Sequence, residues 1–331
     1  MKICTALILL QTIIVPSSGW AESNKIVVSY AADTPANLQV FTAKEAGIFA
    51  RNGLDVQLVR IAGNVAVMAL IAGELPINGQ VGGSVVISSN LAGSDAVIIA
   101  AGVVASDYVL VSNPAIKSAK QLKGSVLGVR SLSGSSMLST HFALKKLGLD
   151  PNKEVSIVVI GQASDRFVSL RTGRIQATLL TPPQWIIAER EGFNTLTDVA
   201  ELPFPYSTVA TTRRFIRDNP DTVRRYVKSQ IEAVHLMKTE RETGIKILAK
   251  YLKQNLDKDI LQRTYAQSIN DNVLPRKQYP DISGIKTVLE MTGDQKAAKA
   301  KPEQFVDTRF VKEFDENGYI DNLYKRASKE R

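Results

Sequence analysis

Cysteine and histidine are nearly missing from this chain: one cysteine, Cys4, and two histidines, His141 and His235, in 331 residues. Cys4 stands too close to Met1 for a lipoprotein cleavage site, and no second thiol is present to pair with it. Disulfides and cysteine-based zinc sites are therefore excluded. The HExxH and paired-histidine spacings that hold metals are absent, and so is the GxSxG nucleophile turn. His141 is spaced with Met137, Leu138, Leu144 and Leu147, and His235 lies within IEAVHLM, so both read as packing residues on helices. These absences leave carboxylate chemistry open, but nothing in the sequence points to it. No cofactor is expected.

Long apolar runs are equally scarce. The opening MKICTALILLQTIIVPSSGWA carries one lysine, an apolar run from Ile3 to Val15, then Pro16, and small Gly19 and Ala21 before a plausible cut. It is too short to span a bilayer, which needs about 20 residues. Residues 1–21 are therefore expected to be a cleaved export signal, which sends the mature chain to the periplasm. The cut removes the only cysteine. No later stretch reaches membrane length, so the remainder, with 44% hydrophobic residues overall, is large enough for one big or two medium soluble domains.

Charge is present but dispersed. The net charge of +9 is spread over KSAKQLKG, TTRRF, VRRYVK and KAAKAK, far apart and with acids between them. No zinc or aromatic-interleaved reading motif accompanies them, so they are solvated helix faces and no nucleic-acid partner is expected.

From residue 25 strands and helices alternate. KIVVSYAA is a strand, LQVFTAKEAGIF a helix, DVQLVRI a strand, NVAVMALIAG a helix, and LPING contains a short strand. From residue 124 the cycle restarts with SVLGVR, GSSMLSTHFALKKLG, VSIVVI, SDRFVSLRTG and IQATLL. Repeated βαβ predicts mostly parallel sheets covered by helices. After Pro220 amphipathic helices follow, DTVRRYVKSQIEAVHLM, GIKILAKYL and DILQRTYAQ, then a last short one, RFVKEFDENG, capped by Gly318. The segments Ala69–Leu75 and Ser169–Ile175 share a small-Leu-x-x-Gly-x-aliphatic pattern, each ending a helix on glycine. Two lobes built from one unit are expected. DYVLVSNP (107 to 114) and PYSTVATTRRF (205 to 215) are the segments that cross between them, so lobe one takes 22–112 and 206–331 and lobe two takes 113–205.

KEAGIFARNGLDVQLV, LIAGELPINGQVGGS, IKSAKQLKGSVLGVRSLSGSS, LKKLGLDPNKEVSIVVI, DRFVSLRTGRIQATLLTPP and TTRRFIRDNPDTVRRYVKS, in this order, resemble the nitrate/sulfonate/taurine-type substrate-binding proteins of ABC transporters, the SsuA/THI5-like or NMT1 family. The resemblance runs from about Lys25 to Phe314. It implies an α/β type II periplasmic binding protein fold, two βαβ lobes joined by a two-crossing hinge with a helical carboxyl-terminal segment on lobe one. It also implies a monomer that closes around a ligand and delivers it to a membrane permease with an ATPase partner. Fungal pyrimidine synthases and a sulfinate-cleaving branch are enzymes on this fold, but both depend on cysteines that this chain lacks.

In an open α/β sheet, ligands sit beyond the carboxyl ends of the strands, where loops run into helix amino termini. The candidate ligand-binding residues are taken from such junctions: Asp33 and Thr34 after the first strand, Asn64 after the second, then Gly82, Gly83 and Ser84. The serine-rich turn after SVLGV adds Arg130, Ser131, Gly134, Ser135 and Ser136, and the next junction adds Gln162 and Ser164. Serine at these positions offers hydroxyl and backbone N–H to an anion, and glycine lets a ligand approach the main chain. Each is also what an ordinary helix cap requires. Thr181, Pro182 and Trp185 follow the last strand of lobe two, where the family lines its cleft; Trp185 either stacks on a ligand or packs between the lobes, and packing is favoured. Arg130 is placed to pair with a sulfonate or carboxylate, whereas Arg166 is read as serving a local acid such as Asp165. The ligand expected is a small organic anion, a sulfonate, taurine-like compound or carboxylate. The alternatives are a thiamine-type pyrimidine or an aromatic compound, and a module that hands its ligand to a sensor instead of a transporter.

Overall fold

A computed structural model describes residues 25–132, 135–293 and 295–329. Residues 1–21, expected to be an export signal, and Gly134 therefore lie outside the described residues. Ten strands form two sheets of identical plan. The first is built from β1 (Lys25–Tyr30), β2 (Asp55–Arg60), β3 (Ile77–Val81), β4 (Ala96–Ala101) and β10 (Thr208–Thr212), in the order β2-β1-β3-β10-β4. The second is built from β5 (Val109–Ser112), β6 (Val126–Val129), β7 (Ser156–Val159), β8 (Ala177–Leu180) and β9 (Asn194–Asp198), in the order β7-β6-β8-β5-β9.

Within each sheet the first three strands are parallel, as the βαβ pattern requires: β1 runs with β2 and β3, and β6 with β7 and β8. The fourth strand in each order arrives from the other lobe and lies antiparallel to both neighbours. Every residue of β3 and β4 is buried, the signature of strands covered on both faces. The echo noted in the sequence occupies matching places. Gly73 and Gly173 both take positive φ, +82° and +74°, at the end of the helices that lead into β3 and β8.

Three sequence expectations are adjusted. Gly47, at φ +67°, divides the helix expected over LQVFTAKEAGIF into Leu38–Glu45 and Ile48–Arg51. The helix after Thr308 is followed, beyond Gly318, by a further one, Tyr319–Lys329. The lobe boundary also differs from the expected one: DYVLVSNP contains β5, which belongs to the second sheet, so residues 109–112 go with lobe two and not lobe one. The connecting stretches proper are 102–108 and 199–207. They brace each other, with Gly102 and Val103 hydrogen-bonded to Ser207, a bridge between Ala105 and Pro203, and Val199 donating to the Tyr108 carbonyl.

The carboxyl-terminal helices complete lobe one. Pro220–Thr239 begins on proline with Asp221 in its first turn, both suited to a helix amino end. It buries Val223, Tyr226, Val227, Ile231 and Val234 in a core shared with Phe41, Phe49 and Ile77. From the same segment, Asp257 and Arg263 reach lobe two, pairing with Arg190 at 2.6 Å and Glu189 at 2.6 Å. These are half-exposed pairs worth about 0–1 kcal/mol each, so they bias the lobe arrangement lightly.

Gly83 shows how tightly a connecting stretch is held. Its N–H donates to the Pro205 carbonyl at 2.8 Å, and a Cβ there would stand 2.6 Å from Pro205 Cβ and 2.9 Å from that carbonyl oxygen. Backbone has to move to admit it. Gly83→Ala is expected to lower stability by about 1–3 kcal/mol, measured by urea denaturation.

Candidate ligand-binding cleft

Helices follow β2, β3, β6 and β7 on the side where the two sheets face one another, and their amino termini meet there. Three of them, Gly63–Ala72, Gly83–Leu91 and Ala163–Arg171, have no side-chain cap. In Gly83–Leu91 the Gly83 and Val85 N–H groups are taken by the Pro205 and Gly82 carbonyls; in the other two the first N–H groups lack the partner that a serine or aspartate cap would give. The fourth, Ser135–Lys146, opens on the serine pair; with Ala163–Arg171 it belongs to lobe two, and the other two helices belong to lobe one. A Cβ on Gly82 would lie 3.8 Å from Ser135 Oγ, so the two lobes nearly touch at this point.

These ends enclose a cavity of about 690 Å³, lined by Thr34, Asn64, Gly82, Ser84, Arg130, Ser131, Ser135 and Ser136 among the residues expected from the sequence. A narrower recess of about 40 Å³ shares Thr34 and Arg130 with it and adds Gln162 and Thr181. Five expected residues do not line either space. Asp33 is turned to Arg60, 3.0 Å away. Gly83 packs on Pro205. Ser164 is exposed beside Asp165, and Pro182 is buried in the turn after β8. Trp185 packs against the core of lobe two, with the Arg263 guanidinium 5.8 Å above its ring, so it lies between the lobes and not on the cavity wall.

Other lining residues were not foreseen. Tyr108 and Tyr206, one from each connecting stretch, stand edge to face with ring centroids 5.4 Å apart. Burial, with Tyr108 and Asp107 nearby, holds the Tyr206 phenol neutral far above its ordinary range. Val288, Met291 and Thr292 come from the helix Ile282–Thr292, whose amphipathic pattern ISGIKTVLEMT was the available signal. Asp107, inside the stretch read only as a crossing, lines the recess.

The two arginines play different parts. Arg166 is 2% exposed, and its guanidinium donates to Thr178 Oγ1 and Leu179 O, each at 3.0 Å, and to Gly161 O. It ties β8 to the loop after β7 and does not pair with Asp165, which corrects the sequence expectation. Arg130 makes no hydrogen bond or ion pair among the described residues. It ends β6 facing both spaces, a cation with its donors unspent. No group of histidine, cysteine, aspartate and glutamate side chains among the described residues could hold a metal ion. No described helix is long and apolar enough to cross a membrane.

The NMT1-like family matches residues 19–253. The chain belongs to this family. No curated protein matches it. Solved structures do: a protein of Bordetella bronchiseptica RB50 (TM-score 0.73, 21% identity, covering 89% of this chain and 98% of that one). The periplasmic aliphatic sulphonate binding protein SsuA from Escherichia coli is also similar (0.66, 18%, 86% and 92%). So is the alkanesulfonate-binding protein SsuA from Xanthomonas axonopodis pv. citri bound to MOPS (0.64, 19%, 86% and 97%). With the sheet orders above, these likenesses establish the type II periplasmic binding protein fold, and they extend past residue 253 over the helical segment of this NMT1-like chain.

Asp107 gives the cleft a measurable pH signature. Burial pushes its carboxyl up to about 7, partly offset by a hydrogen bond from its own backbone N–H. The folded state therefore holds a proton that the unfolded chain releases near pH 4, and stability falls as pH rises between these values. Asp107→Asn is expected to raise the melting temperature by about 2 °C or more near pH 8 and to change it little below about pH 4, as followed by calorimetry.

Proposed function

We propose that the chain is an exported solute-binding protein that captures a small organic anion between its lobes and passes it to an ABC importer. The observation that carries this reading is the convergence of helix amino termini that have no side-chain cap with Arg130, whose donors have no partner among the described residues. Helix amino ends carry partial positive charge, and a guanidinium recognises sulfonate or carboxylate oxygens through paired donors. Against two cationic side chains the only carboxylate lining these spaces, among the described residues, is Asp107. The local field favours an acid whatever the charge of the surface.

Binding without chemical turnover is supported by what the cleft lacks. Residues 25–331 contain no cysteine, and neither histidine lines the cavity or the recess. The proteins named as sulfonate-binding among the similar structures fit the same role. Periplasmic location and transfer to a permease follow from this reading together with the export signal expected at residues 1–21.

Thermal shift against a panel of sulfonates, carboxylates and pyrimidines tests it. One acid is expected to stabilise the protein by RT ln(1 + [L]/Kd), about 2.7 kcal/mol at a hundredfold excess over Kd. Arg130→Ala is expected to weaken that acid's binding about 10- to 100-fold, the loss of a hydrogen bond to a charged group. Ser135→Trp, which fills the space facing Gly82, is expected to abolish the shift. Stabilisation by a pyrimidine alone, unaffected by Arg130→Ala, would contradict the reading.

A further inference from the structure

We propose that Asp107 is a specificity-determining acceptor for a protonated nitrogen on the ligand, so that the cleft selects an anion that also carries an amine or amidine over a plain acid. The inference deepens the anion-binding reading and rests on it.

The floor of the cleft holds two acceptor oxygens that the protein leaves unmatched. Asp107 Oδ1 is buried without a hydrogen-bond partner. Asn37 is 4% exposed and lines the main cavity; its amide nitrogen donates to Thr34 Oγ1 at 3.1 Å, leaving its Oδ1 without a partner as well. Both sit beside the Thr34–Ala36 turn, which borders the cavity and the recess alike. The nearby cations do not serve Asp107. Arg166 is engaged by Gly161, Thr178 and Leu179, and Arg130 forms no ion pair with it. A buried carboxylate without a counter-charge is costly, and binding a ligand N–H or ammonium group removes that cost. The cleft is thus bipolar, with donors from Arg130 and the helix ends on one side and unmatched acceptors on the other.

Affinity for such a ligand depends on pH with a definite sign. The titratable and charged groups facing Asp107 in the recess are Tyr108, Arg130, Arg166 and Tyr206. Burial holds the Tyr206 phenol neutral across this range. An ammonium ligand binds the ionised carboxylate, so its affinity rises and protons are released as pH rises through about 7. A plain acid meets growing repulsion over the same range.

Calorimetric titration with taurine against ethanesulfonate, β-alanine against propanoate, and ethylamine alone, at about pH 6 and about pH 8, tests the assignment. The amino member of a pair is expected to bind at least about tenfold tighter near pH 8, with a smaller advantage near pH 6. Asp107→Asn is expected to erase both the advantage and its pH dependence, and Asp107→Glu to restore part of them. Equal binding within each pair, or an advantage that survives Asp107→Asn, overturns the assignment and leaves the anion reading standing. Binding of ethylamine, dependent on Asp107, with none of the acids bound overturns the anion reading instead. Failure of all five compounds to bind overturns both.

Discussion

Two backbone connections hold the architecture. Each carries the chain from one lobe into the sheet of the other, where β5 and β10 insert antiparallel between existing strands. Lobe two takes all five of its strands from the continuous stretch 109–198, whereas the sheet of lobe one is completed only when the chain returns at β10. The connections also hydrogen-bond to one another from Gly102 to Tyr108, so the lobes turn about a two-stranded ribbon. This arrangement sets the carboxyl ends of the parallel strands of both sheets facing one gap. The helix ends that line the gap follow from that orientation.

The chemistry of the gap follows from what the helices omit. Asp257, Asp281 and Thr212 cap three helices with their own side chains, while others away from the cleft, such as Pro220–Thr239 and Arg241–Leu252, have no such cap. At the cleft, Ala62, Gly82 and Gln162 occupy the capping positions and give no such bond. The omission weakens each helix slightly, a cap being worth about 0.5–2 kcal/mol, and leaves amide hydrogens for a ligand. The same division appears between the arginines: Arg166 is consumed in holding β8, and Arg130 has no hydrogen bond or ion pair among the described residues.

What the sequence made legible was local. The positive-φ glycines at 73 and 173, the serine pair at the start of Ser135–Lys146 and the Gly82 junction all announce themselves within a few residues, because a helix end is a local event. The hidden part was long-range. Tyr108 meets Tyr206 across about a hundred residues of chain through the paired connections, and Val288 and Met291 reach the cavity from a helix joined to it only by packing. Asp107 was hidden because a single acid in an apolar stretch looks like any surface carboxylate until its burial is seen. Asp33, by contrast, stood at the right junction, but its carboxylate is taken by Arg60 from the neighbouring strand. Strand-end position identifies the region of a site; only the partners a side chain already has decide whether it remains available.

We propose above all that the gap between the lobes grips a small acid and releases it unchanged. Native mass spectrometry of the protein isolated from its own cells, wild type beside Arg130→Ala, measures this directly. One low-mass acidic compound is expected on the wild-type chain, recovered intact, and lost from the variant. A neutral compound retained equally by both proteins, or a compound recovered in chemically altered form, would contradict it.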